Sequence, residues 1–206
     1  MNNRTYKSKD AIVFRKTTEP FGGLSNMASG FSLYINEVIV PSSEHLYQAM
    51  RYPTNPEIQF EIINQDNAMK AKMISNKYKA QYSRPDWERI QIKVMRWALE
   101  IKLAQNWEKF SVILEQTQNK SIVEYANDNK IWGAKPTVND EFVGVNALGR
   151  LLMELREKYI IDKKRIFCVH PPDVPALLLY NQHIDIICDD MIIDFHSENL
   201  IEDNIV

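Results

Sequence analysis

Cysteine is scarce in this chain of 206 residues, with only Cys168 and Cys188 present. That excludes a disulfide-stapled scaffold. Two reduced, buried thiols are the expectation, and a single Cys168–Cys188 bridge is the alternative. Long apolar runs are missing too. Ala176-Leu177-Leu178-Leu179-Tyr180 is the longest wholly apolar stretch, and a membrane-spanning helix needs roughly 20 such residues. Met1-Asn2-Asn3-Arg4-Thr5-Tyr6-Lys7 has no apolar centre, so it does not read as a signal peptide, and a cytoplasmic protein is expected. Excess charge of one sign is also lacking: 25 Lys and Arg oppose 27 Asp and Glu, for a net charge of −2. Global charge therefore points to no class of partner.

Familiar catalytic spacings are absent as well. There is no GxGxxG, phosphate loop, GxSxG or HExxH. His45, His170, His183 and His196 stand in no zinc-ligand spacing with the cysteines. No metal and no cofactor are expected.

What is present is ordinary globular material, 45% hydrophobic and 25% charged, and long enough to bury a sizeable core. Charge is unevenly placed. Residues 160–206 carry Lys163, Lys164 and Arg165 against nine acidic residues, a net of −6, and residues 1–159 carry +4. A mildly basic body with an acidic tail is a weak hint of an anionic substrate, and ordinary solvated surface charge is the better explanation.

Hydrophobic patterning gives the elements. Ala11-Ile12-Val13-Phe14 reads as a strand. Phe31 to Ile35, a turn at Asn36-Glu37, and Val38-Ile39-Val40 read as a hairpin. Ser42 or Ser43 can cap a helix with Leu46, Ala49 and Met50 on one face. Asn55-Pro56 opens a helix over 57–65, and Asp66 or Asn67 caps one over 68–76. A long helix over 85–106, with Pro85 in its first turn, places Ile90, Val94, Trp97, Ala98, Ile101 and Ala104 inward. A further helix follows over 106–115, then a strand over 121–125. Asn146 can cap a last helix that buries Leu148, Leu151, Leu152 and Leu155. Short apolar runs among Pro171, Pro172 and Pro175 suggest short strands or an extended lid in the tail. The class is α+β, mainly helical.

The polar candidates are few. Glu44 opens a helix after a strand pair, and Asp128 lies in a turn before Trp132-Gly133. Two carboxylates beside aromatics suit an oxocarbenium-like transition state. Helix capping and an Asx-turn explain the same residues. Trp87 and Trp132 can stack on a base or simply pack, whereas Trp97 fits the apolar face of its helix. Lys72, between Met69 and Met73, is either a nucleophilic amine in a partly apolar setting or a solvated helix lysine.

Taken in order, Pro20-Phe21-Gly22-Gly23-Leu24-Ser25-Asn26-Met27, Ser43-Glu44-His45-Leu46-Tyr47-Gln48-Ala49, Ala71-Lys72, Arg84-Pro85-Asp86-Trp87, Asp128 ahead of Trp132-Gly133, and Gly144-Val145-Asn146-Ala147-Leu148-Gly149-Arg150 resemble the NADAR family across about residues 14–158. The resemblance implies a compact domain over 11–158 of α+β type. It leaves 159–206 as an acidic extension without a family counterpart. It implies N-glycosidase chemistry or binding of NAD- and ADP-ribose-like ligands. One branch removes ADP-ribose from guanine in nucleic acid and acts as antitoxin to ADP-ribosyltransferase toxins. Another cleaves ribosylamine intermediates of riboflavin synthesis. Phe21 to Met27 and Met95 to Asn106 look more like the first branch.

Carried over residue by residue, the resemblance makes Glu44, Lys72 and Asp128 the catalytic candidates. Lys72 would serve as an imine-forming amine. Phe21, Gly22, Ser25, Asn26, Trp87, Trp132, Gly133, Asn146, Gly149 and Arg150 become the substrate-binding candidates. Backbone amides of Phe21 to Asn26 and of the helix start at Asn146 are expected to hold a pyrophosphate. The expected partner is ADP-ribosylated guanine in DNA or RNA, or a small ADP-ribose-like molecule.

Overall fold

In the computed structural model, which describes residues 2–127 and 131–190, the chain opens with strands β1 (Arg4–Lys7), β2 (Ala11–Phe14), β3 (Leu33–Ile35) and β4 (Val38–Val40). Helices α1 (Ser43–Ala49), α2 (Pro56–Ile63), α3 (Ala68–Tyr82), α4 (Trp87–Gln105) and α5 (Trp107–Gln116) follow. Then come β5 (Ser121–Glu124), β6 (Lys135–Pro136), β7 (Glu141–Gly144) and α6 (Ala147–Leu155). Four two-residue strands close the described chain: β8 (Cys168–Val169), β9 (Leu178–Leu179), β10 (Gln182–His183) and β11 (Ile187–Cys188). This is the mainly helical α+β class that the patterning implies.

The residues group into two units. One holds Met1–Ser29 and Glu108–Arg165, and the other holds Gly30–Trp107 together with the described residues from Ile166 onward. In the first unit β2 pairs in parallel with β5, from Ala11 opposite Ser121 to Phe14 opposite Glu124. An antiparallel sheet runs in the order β1-β7-β6. Tyr6, Val123, Ala134 and Phe142 form its small apolar core. Helix α6 lies against β5 at a distance that Gly149 sets. A Cβ there would stand 2.1 Å from the Ile122 carbonyl oxygen, so only glycine lets helix and strand approach so closely.

In the second unit Asn36 and Glu37 hold φ of 49° and 64°, the backbone of a tight turn that matches strand twist. Ser42 caps α1, its Oγ accepting from the His45 amide, and Asn67 caps α3 by accepting from the Lys70 amide at 3.0 Å. Pro56 takes the first position of α2. Helix α1 lies against α2, α3 and α4. Every one of its seven residues is buried.

Helix α2 stops at Ile63, two residues short of the expected end, and two other helices also differ from their expected bounds. Helix α3 runs on to Tyr82, because Lys77, Tyr78, Lys79 and Ala80 contain no breaker. Helix α4 begins at Trp87 instead of Pro85, with Asp86 as its cap residue and Pro85 in the preceding turn. The inward positions of α4 and α6 are buried as expected.

The described tail, residues 166–190, is tied to the helices of its own unit. The Gln59 amide donates to the Leu178 carbonyl at 2.8 Å and accepts from the Tyr180 amide at 2.8 Å. Arg84 donates to the Pro175 carbonyl at 2.6 Å, and Gln105 donates to the Cys188 carbonyl at 3.2 Å.

The expectation of two reduced thiols is corrected here: Cys168 and Cys188 form a disulfide. The antiparallel register of β8 and β11 sets the two residues directly opposite each other, which cysteine spacing in a sequence cannot reveal. Among the described residues no helix is long and apolar enough to cross a membrane.

Candidate active site

Glu44 lies in the first turn of α1, where the helix dipole favours an anion, and it is only 3% exposed. Gln48, one turn on, donates its side-chain amide to Glu44 Oε1 at 2.8 Å. The carboxylate is thus buried and oriented by its own helix. Its neighbour His45 is buried and neutralised by desolvation, which lowers its pKa. His45 Nδ1 meets Ser42 Oγ at 2.8 Å and Nε2 meets the Gln65 carbonyl at 3.1 Å. A carbonyl only accepts, so Nε2 carries the proton and Nδ1 accepts from Ser42. His45 therefore anchors the start of the helix.

Three further polar side chains share this region, and the motif reading did not single them out as site residues. The Tyr47 ring packs tilted against Trp87, with centroids 4.9 Å apart, and its hydroxyl donates to Gln91 Oε1 at 3.3 Å. Burial raises its pKa well above the usual tyrosine value, with the Arg51 charge pulling the other way. The Arg51 guanidinium lies 4.9 Å over the Trp87 ring and is 7% exposed. Trp87 itself is 2% exposed. One face of that indole is covered by Arg51, so it sits packed in its unit.

Lysine placement differs from what the motif suggests. Lys72 is exposed on α3, and Met69 and Met73 beside it are 58% and 64% exposed. The flanking methionines therefore give Lys72 no apolar enclosure. Lys102, on α4, is 1% exposed with its Nζ 4.3 Å from the Phe31 ring centre. Burial drags its amine down to about 7. It lies one turn beyond Ala98, whose carbonyl accepts from Ser43 Oγ on α1 at 3.4 Å. The visible signal was a lysine inside the otherwise apolar run Ile101-Lys102-Leu103-Ala104.

The other candidates belong to the first unit. Phe21 holds φ of 63° before a tight turn over Gly22–Leu24. The amides of Gly22, Leu24 and Ser25 bond to the carbonyls of Glu19, Phe21 and Gly22. The Met27 amide donates to Ser25 Oγ at 3.1 Å, and Ser25 and Asn26 are buried. Most donors of this loop thus close the loop on itself.

Asn146 stands at the cap position of α6, yet its side chain makes no cap bond. That corrects the capping expectation. It bridges β5 instead, accepting from the Glu124 amide at 3.1 Å and donating to the Ile122 carbonyl at 2.8 Å. The amides of Asn146, Ala147 and Leu148 donate to the carbonyls of Gly133, Ile131 and Trp132. The N-terminus of α6 is therefore satisfied by chain and not turned toward an anion. Gly133 packs so tightly on Glu124 that a Cβ would stand 2.6 Å from its carbonyl oxygen. Trp132 and Arg150 are half-buried. Asp128 lies outside the described residues. Among the described residues no cluster of His, Cys, Asp or Glu is arranged to hold a metal ion.

Comparison with known proteins places this architecture. The sequence model of the NADAR domain matches residues 13–159. The N-glycosidase YbiA of Shigella sonnei is 33% identical over 157 residues, covering 75% of this chain and 92% of that protein. A riboflavin biosynthesis protein of Vibrio vulnificus is 31% identical over 147 residues, covering 71% of this chain and 38% of its own length. The NMR structure of Escherichia coli YbiA superposes with a TM-score of 0.62 at 30% identity, covering 74% of this chain and 86% of that one.

Proposed function

Because the chain belongs to the NADAR family, we propose that it is an N-glycosidase that releases ADP-ribose from ADP-ribosylated guanine in nucleic acid. It would reverse the product of an ADP-ribosyltransferase toxin. The observation that carries the reading is the buried Glu44 carboxylate, oriented at 2.8 Å by Gln48. Cleaving the bond between C1″ and the guanine amine builds positive charge on the anomeric carbon. A fixed carboxylate shielded from water stabilises that charge without reorganising. Water supplies the hydroxyl that ends on C1″, and the departing amine takes up a proton.

A covalent route is open as well. An uncharged amine can add to C1″ of the ring-opened ribose, expel the base as its amine, and be freed by water as ADP-ribose leaves. Lys102, its amine lowered by burial to about 7, is uncharged for about half of the time near pH 7 and so supplies such an amine. Exposed Lys72 was the motif candidate. Borohydride with substrate, followed by peptide mass mapping, separates the cases. An adduct on Lys102, on Lys72, or on neither assigns the amine or dismisses the imine.

The main test incubates the protein with guanine-ADP-ribosylated DNA and reads free ADP-ribose by mass spectrometry. Release by wild type and not by Glu44→Ala supports the reading. No release from either DNA or RNA sinks it.

A second reading is favoured by the names of the relatives, which are riboflavin biosynthesis proteins and YbiA N-glycosidases. In that reading the same chemistry acts on a small ribosylamine metabolite. Salt separates the two, since phosphate contacts to a strand release counterions and weaken steeply with ionic strength. Turnover of a free metabolite stays nearly flat.

A further inference from the structure

Helix α1 carries a second stripe beside its apolar one. Glu44, Tyr47, Gln48 and Arg51 fall at i, i+3, i+4 and i+7, so the helix and the turn that ends it present them on one face. All four are buried, between 3% and 7% exposed. That spacing is normally apolar in a buried helix. Glu44, being a carboxylate, can only accept, so the Gln48 amide turns its NH2 to Glu44 and its carbonyl oxygen away. Among the described residues that oxygen, Gln48 Oε1, has no donor, and Arg51 Nε and Nη1 have no acceptor, although all three atoms are buried. Buried polar atoms without partners are rare in folded proteins and call for a reason.

The pattern they leave open is one acceptor next to donors. A phosphate or carboxylate would suit Arg51 and repel the Gln48 oxygen and the Glu44 carboxylate. A cyclic amide suits both, because its ring N–H donates and its adjacent carbonyl accepts. Guanine carries this edge next to its exocyclic amine, and pyrimidinone bases carry the same edge. Adenine carries the reverse pattern and would set donor against donor.

We propose that Gln48 and Arg51 read the cyclic-amide edge of the leaving base, Gln48 Oε1 accepting the ring N–H and Arg51 donating to the ring carbonyl. The proposal rests on the N-glycosidase reading of Glu44 and extends it to the identity of the base. Sites built to bond a polar group reject analogues that lack it, because their own buried groups are then left unpaired.

Calorimetry with free nucleosides tests it without any turnover. Wild type should bind guanosine about tenfold or more tightly than N1-methylguanosine, which lacks the ring N–H, and than 2-aminopurine riboside, which lacks both the carbonyl and the ring N–H. A diaminopyrimidinone and its ring-N-methyl derivative form the second arm. Preference confined to that pair identifies a small-metabolite base in place of guanine. Gln48→Leu should erase the penalty for N-methylation, and Arg51→Met should keep that penalty and close the gap between N1-methylguanosine and 2-aminopurine riboside, with melting curves confirming that both fold. The wild-type comparison stands even if a variant does not fold.

Equal binding within both pairs, or binding of neither amide base, overturns the proposal. The reaction reading fails separately, if edge preference is intact and no ADP-ribose or ribosylamine is cleaved. Cleavage of an N1-methylated guanine substrate at an unchanged rate overturns the edge reading alone.

Discussion

Two motif segments stand out equally in the sequence, Ser43 to Ala49 in one unit and Gly144 to Arg150 in the other, and the molecule uses them in opposite ways. In the second segment Asn146, Gly149 and the first helical amides are occupied by the scaffold. Asn146 clamps β5 through two bonds, Gly149 lets α6 approach β5, and the first amides of α6 meet the carbonyls of residues 131–133. In the first segment Glu44, Gln48 and the following Arg51 are buried where a helix normally shows apolar groups, and among the described residues atoms of Gln48 and Arg51 are left without partners. Motif strength alone does not separate scaffold from site. A buried polar stripe at helical spacing, with unmet hydrogen-bonding atoms on two neighbouring side chains, sets the first segment apart.

Substitutions sharpen the contrast. Glu44→Gln keeps the shape and removes the charge, so turnover should fall by about 10²–10³-fold, with little change in melting temperature. Asn146→Ala should do the reverse first. It leaves the Glu124 amide and the Ile122 carbonyl unpaired in the interior, at a cost of about 2–4 kcal/mol, read in denaturant unfolding. A Glu44→Gln protein that keeps full turnover would break the comparison at its functional end. An Asn146→Ala protein of unchanged stability would break it at the structural end.

The disulfide gives a further graded test. It links positions 20 residues apart and ties β8 to β11, strands that lie on α4. Cys168→Ser with Cys188→Ser should lower stability by about 3 kcal/mol through the greater freedom of the unfolded chain. The same shift should follow a thiol reductant in wild type and be absent in the double variant.

Much of the fold was readable from local rules. The hairpin followed from Asn36-Glu37 between alternating strands, and α4 and α6 followed from apolar spacing that the structure buries. Ser42 and Asn67 cap where short polar residues precede helices. What was not readable needed distant partners. The parallel pairing of β2 with β5 joins residues 110 positions apart, Ala11 with Ser121. The disulfide depended on the register of two strands of two residues each.

The site was half legible. Glu44 came from the motif. Gln48 and Arg51 shared its stripe at visible spacing, but Leu46, Ala49 and Met50 supplied a sufficient apolar face and hid the second one. Lys102 is hidden in the sequence because long helices usually carry lysines outward.

Lys102 supplies the smallest expected effect and contrasts with Lys72 within one unit. The unfolded chain keeps this proton up to the usual lysine value near 10.5, and burial makes the folded chain release it near 7. Between those values the unfolded state binds more protons, so stability rises with pH across the window and levels off above it. Below about 7 both states are charged, and the folded protein carries the full penalty of a buried ammonium. Lys102→Met removes the penalty, keeps most of the volume, and should stabilise the protein at neutral pH by about 2 kcal/mol. It should also flatten the rise in melting temperature between neutral and alkaline pH. Lys72→Met, on an exposed helix surface, should change neither by more than about 0.5 kcal/mol. If Lys102→Met also loses turnover while Lys72→Met keeps it, stability and activity part at a single buried amine, as they do where a core position is held for chemistry. If Lys102→Met gains stability and keeps turnover, the Lys102 amine has no part in the reaction, and if Lys72→Met keeps turnover as well, the direct attack of water on C1″ stands alone.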